Sequence, residues 1–171
     1  MDFVERQHLI HQYRDGYRAV TAALVNLTEA ELDKRPADDA WTAREVVHHL
    51  ADSETTSYLR LRKLLAEDAP VIDAYDEAHY ARALHYSRPI EPSLQVLRAV
   101  RQSTADLLDA LEPHEWERAG VHSDSGPYDV ETWLRIYAAH AHDHAAQIRE
   151  ARGTGLVVAS ARWASLGPKG H

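Results

Sequence analysis

The chain has 171 residues, a formal charge of −8 and no cysteine. That length suits one hydrophobic core, while the acidic balance excludes nonspecific attachment to nucleic acid or to an anionic membrane surface. The missing thiols exclude disulfides, thiolate metal sites and a protein-borne sulfur nucleophile, so metal binding must rest on His, Asp and Glu.

The amino terminus carries no apolar core of signal-peptide length, and no apolar run approaches a membrane span. A cytoplasmic protein with one domain over residues 1–171 is expected. Residues 153–171 read as a tail, and Gly167–His171 as a disordered end.

Apolar residues recur at three- and four-residue intervals in four long stretches separated by Pro, Gly and Asp clusters, the pattern of a helical bundle. The first stretch, about Phe3 to Leu27, places Phe3, Ile10, Tyr13, Tyr17, Val20 and Leu24 on one stripe. The second starts at a capping box, in which the Thr42 hydroxyl and the Glu45 carboxylate satisfy free backbone amides, and runs to about Leu65. Its stripe is Val46, Leu50, Ser53, Ser57, Leu61 and Leu64.

A connection from Ala66 to Pro92 contains a short helix around Glu77 to Leu84. The third stretch, Ser93 to Leu111, carries Leu94, Leu97, Thr104, Leu108 and Leu111 on its stripe. Pro113 to Pro127 reads as a loop with a turn at Ser125-Gly126-Pro127. Asp129 then caps a fourth helix over Val130 to Arg152, with Val130, Trp133, Tyr137, Ala141 and Ile148 facing inward.

Helical phase sorts the histidines, because each residue advances about 100° around the axis. His49 falls on the flank of the second stripe and His48 nearly opposite. In the fourth helix His140 and His144, four residues apart, project among the apolar residues, whereas His142 falls on the far side and is expected to face solvent. A lone core histidine is best explained by a hydrogen bond. Three imidazoles in phase on two helices point instead to a shared cation, which gives every ring a partner and leaves coordination positions open.

The chain resembles the DinB/YfiT-like superfamily of metal-binding four-helix bundles, above all its DinB_2-type members, over nearly its full length. The resemblance is carried by Arg35-Pro36, by Trp41-Thr-Ala-Arg-Glu-Val-Val-His-His-Leu-Ala-Asp-Ser-Glu54, by Ala74-Tyr-Asp-Glu77 and by Tyr137-Ala-Ala-His-Ala-His-Asp-His-Ala-Ala-Gln-Ile148. It maps the family's metal ligands onto His49, His140 and His144. The family often has two adjacent histidines where this sequence reads Asp143-His144, with His142 as an extra.

The resemblance implies an all-α four-helix bundle in up-down-down-up order, with a divalent metal at its open end and a homodimer. Zinc or nickel suits three imidazoles best, with manganese, iron or copper as further options. It also implies a metal-dependent S-transferase in which a low-molecular-weight thiol, such as bacillithiol or mycothiol, attacks an electrophilic small molecule. The competing expectations are a metal-dependent hydrolase and a non-enzymatic, stress-associated metal-binding dimer.

Asp52 and Glu54 read as surface or helix-packing polar groups, although Glu54, nearer the core face, could orient a ligand or water, and Asp143 reads as a solvated carboxylate. Arg60 and Arg62 read as solvated helix side chains, and His79, His85 and His114 as surface residues. Trp116 and His122 could border the pocket.

Overall fold

A computed structural model describes residues 1–38 and 40–153. The expectations for the tail beyond Gly153 lie outside these residues. The elements in order are α1 (Phe3–Leu24), α2 (Glu29–Leu32), α3 (Ala43–Ala66), β1 (Val71–Ile72), α4 (Glu77–Ala83), α5 (Glu91–Ala110), a 3₁₀ turn (Pro113–Glu117), β2 (Ala119–His122), β3 (Gly126–Asp129) and α6 (Val130–Arg152). Among the described residues no helix is long and apolar enough to cross a membrane.

The long helices begin where the side chains can cap them. Thr42 and Glu45 form the reciprocal box that starts α3, and the Asp129 carboxylate accepts from Thr132 N to start α6. A second box, Thr28 with Glu31, starts the four-residue α2, which the sequence reading passed over. Gly153 ends α6 at φ 78, a left-handed conformation that suits glycine.

Pairings between helices give their directions. Along α3 and α5, His48 meets Ser93, Glu54 meets Arg101 and Arg62 meets Ser103, so both helices advance together. Along α1 and α6, Arg6 meets Glu131, Gln12 meets His142 and Val25 meets Arg152, again in parallel. Ser57 with Trp133 and Glu54 with His140 show that α3 and α6 oppose each other. The order is therefore up-down-down-up, and the chain from Glu67 to Ile90 travels back along the bundle to allow it.

That return segment and the loop before α6 build a small sheet absent from the sequence reading, in strand order β1-β2-β3 with β1 parallel to β2 and β2 antiparallel to β3. Pro127 is tolerated because β3 is an edge strand. Gly120 is required by close approach, since a Cβ there would lie 2.3 Å from Pro70 O.

The predicted stripes of α3, α5 and α6 are turned inward, each fully buried Leu or Ile contributing about 1.5–3 kcal/mol. Phe3 is a correction: it is 71% exposed, because its stripe outruns the bundle and Met1 packs on the core instead. The apolar interior is split in two. One cluster gathers Tyr13, Leu61, Ala105, Trp133 and Tyr137, and the other Val20, Leu50, Leu97, Ala141 and Ile148. Between them runs a polar layer of Glu54, Arg101 and His140, which α1 joins through the Tyr13 carbonyl and hydroxyl.

Candidate metal centre

His49 lies two turns into α3, and His140 and His144 lie one turn apart on α6. The antiparallel crossing brings them together, with one ligand-capable atom from each within 4.8 Å of the others. Ring centroids are 4.7 Å apart for His49 and His144, 4.6 Å for His140 and His144, and 5.5 Å for His49 and His140. Nitrogen ligands around a tetrahedral zinc sit about 3.3 Å apart at Zn–N distances near 2.0–2.1 Å, so the rings need draw in by at most about 1.5 Å. The three residues fit one ion.

Protonation favours the same use. Burial holds the His49 imidazole well below the ordinary histidine range, and His144 and His140 depress it further. Burial pushes His144 down to about 3, with His140 adding to the effect and the Gln147 hydrogen bond opposing it. Both rings are neutral at physiological pH and present lone pairs to a cation. His144 Nδ1 is engaged by Gln147 Oε1 at 2.8 Å, which leaves its Nε2 for a ligand.

Glu54 is wholly buried, where the sequence reading favoured a surface or packing role. Its Oε1 is paired with Arg101 and lies 3.5 Å from His140 Nδ1, and its Oε2 accepts from the Tyr13 hydroxyl at 3.2 Å. Burial, the largest influence on the Glu54 carboxyl, favours its neutral form. The Arg101 guanidinium, with His140 and Tyr13, outweighs this and holds the group below the ordinary glutamate value. Arg101 was not singled out in the sequence, although it stands four residues after Leu97 and three before Thr104, on the inward stripe of α5. A charge at a core phase was the available signal.

Several other expectations change. Arg60 is 3% exposed and donates to the Tyr137 hydroxyl and to Asp73 O, because α3 is covered there by the return segment. Arg62 stays at the half-buried edge, over the Tyr58 ring. His142 is half-buried rather than solvent-facing, with its Nε2 2.9 Å from Gln12 O, because α1 packs against that side of α6. Asp52 is half-buried and accepts from the Tyr86 hydroxyl at 2.7 Å. Asp143, His79, His85 and His114 are exposed, as expected.

Trp116 packs in the first apolar cluster under Arg6, and His122 stands in β2 with its ring on Tyr128. Neither joins the trio. Trp41 does approach it, with its ring 4.6 Å from that of His49. Trp41 also lines a groove of about 550 Å³, walled by the start of α3 and by α4, with Arg35, Arg82 and Tyr86 on its lining.

Residues 12–148 match the DinB superfamily. The chain is 36% identical over 139 residues to a provisionally named metal-dependent hydrolase of Oceanobacillus iheyensis, covering 81% of each chain. It is 33% identical over 130 residues to another so named from Halalkalibacterium halodurans, covering 76% of each. Among solved structures it is similar to YfiT from Bacillus subtilis, described as a probable metal-dependent hydrolase with an unusual four-helix bundle topology. That match has a TM-score of 0.83 at 29% identity and covers 88% of this chain and 87% of the other.

Proposed function

We propose, for a chain that belongs to the DinB superfamily, that it is a metal-dependent S-transferase joining a low-molecular-weight thiol to an electrophile. The observation that carries this is the trio itself: His49, His140 and His144 offer three imidazole nitrogens within 4.8 Å and no carboxylate among them. A divalent ion held by three neutral ligands keeps its full positive charge and lowers the proton affinity of a thiol or water at its open position. Zinc or nickel suits such a set best.

The rest falls to the protein's own residues. With no cysteine in the chain, the sulfur must arrive with the cosubstrate. The groove beside Trp41 offers room for its body, and Arg82, on the exposed side of α4, offers a cation to an acidic group on it. In the transfer, the thiol sulfur bonds to the electrophilic carbon, the leaving group departs with the bonding pair, and the thiol proton passes to solvent.

A hydrolase is the second reading, favoured by the names of the relatives and by Glu77. Burial raises the Glu77 carboxyl, against the pull of His140 and Arg60, the two basic side chains acting on it most strongly. The two separate on thiol dependence. Metal-loaded protein is assayed with an aryl halide plus bacillithiol, mycothiol or cysteine, and separately with activated esters and amides. Thioether formation that saturates in thiol and is lost in His144→Ala supports the transferase. Metal-dependent ester or amide cleavage without thiol overturns it for the hydrolase.

A further inference from the structure

The candidate ligands come from α3 and α6 alone, yet α1 and α5 reach them through the polar layer. Arg101, 1% exposed on α5, pairs with Glu54 of α3 through Nη1, donates to Tyr13 O of α1 through Nε and Nη2, and donates to Tyr137 O of α6 at 3.3 Å. One guanidinium therefore touches all three other long helices. Gly16 makes the room, since a Cβ there would lie 2.5 Å from Arg101 Nη2.

A buried ion pair is a weak source of stability, because desolvating two charges costs about as much as their attraction returns, and apolar residues of similar volume often serve equally well. Stability alone does not account for placing one between two apolar clusters. Position does: the carboxylate oxygen that Arg101 holds is the one facing His140 Nδ1 at 3.5 Å. We propose that Glu54 and Arg101 are positioning residues for His140. Arg101 fixes the Glu54 carboxylate, Glu54 accepts the Nδ1 proton, and the ring is held in the tautomer that turns the Nε2 lone pair towards His49 and His144.

His144 has the counterpart in Gln147, which engages its Nδ1. Both α6 imidazoles are then aimed through Nδ1, one by an amide and one by a carboxylate. Such outer partners are worth about 10- to 100-fold in metal affinity.

The inference rests on His49, His140 and His144 being ligands, and the test separates the two. Zinc affinity by chelator competition and the cobalt absorption spectrum are measured for the native protein, His144→Ala, Glu54→Gln and the double variant Glu54→Gln/Arg101→Met, which leaves no unpaired buried charge. The expected result is zinc binding by the native protein, its loss in His144→Ala, and binding weakened about 10- to 100-fold with a shifted cobalt spectrum in the double variant. Native affinity and an unchanged spectrum in the double variant, with His144→Ala still inactive in binding, overturn the positioning role alone. No tight binding by the native protein overturns the ligand assignment and the positioning role together. Nitrogen NMR of the metal-free native protein needs no variant: a proton on His140 Nδ1 is expected, and a proton on Nε2 overturns the proposal.

Discussion

His48 and His49 are neighbours in the chain but serve opposite sides of α3. His48 lies 2.8 Å from Ser93 Oγ and 2.9 Å from Arg88 O, under the return segment, while His49 faces Trp41 and His144. Both are buried, so exposure would not tell them apart. Their partners do: one ring has two oxygen neighbours, the other has aromatic rings.

Substitution should separate them. His49→Ala is expected to abolish tight metal binding with a modest effect on the metal-free fold. His48→Ala should keep one ion per chain but lose about 1–3 kcal/mol of stability, the cost of stranding buried polar partners. Metal content by mass spectrometry and thermal unfolding of both variants check this.

Stripping the metal should soften the protein without unfolding it. The two apolar clusters are built without the three histidines, so a chelated sample should keep its helicity and a cooperative transition. Added metal at a hundredfold excess over Kd should raise stability by about 2.7 kcal/mol. Loss of helical circular dichroism on chelation would instead mark a structural site, as in the non-enzymatic alternative.

Gly16→Ala should destabilise, although alanine is favoured over glycine inside a helix by about 1 kcal/mol. The new methyl would meet Arg101 Nη2 at 2.5 Å and Ala141 Cβ at 2.7 Å. Overpacking of this kind costs about 1–3 kcal/mol, and a urea titration of the metal-free protein should show the net loss.

Trp41 should report binding. Its ring is 4.6 Å from that of His49, so a paramagnetic ion such as cobalt or copper at the trio should quench its fluorescence. Trp41→Phe should keep the bound ion and lose most of the quench. Full quenching in that variant would place the ion elsewhere.

What the sequence disclosed followed the 3.6-residue period. The Thr42–Glu45 box, the inward stripe of α3 and the phases of His49, His140 and His144 all reappear, because a helix fixes the direction of a side chain once its neighbours are known. The parallel pairing of α3 with α5 came from family resemblance, with the length of the connection as its physical support.

What stayed hidden depends on contacts between distant segments. Strands of two to four residues, such as Val71–Ile72 and Gly126–Asp129, carry too little alternation to be seen, and they form only because the return segment passes the loop before α6. Arg60 looked solvated because nothing local announces that the same segment covers it. Glu54 was half seen: its phase suggested an inward role, but its partner Arg101 is 47 residues away.

The route from Glu67 to Ile90 has one more effect. It puts one wall of the groove, with Arg82 and Tyr86, on a stretch that supplies none of the three histidines, while the other wall, with Thr42, Arg44 and Glu45, belongs to the start of α3. The α4 wall can therefore be redesigned without altering the elements that carry the imidazole trio, whereas a change to the α3 wall reaches the helix that holds His49.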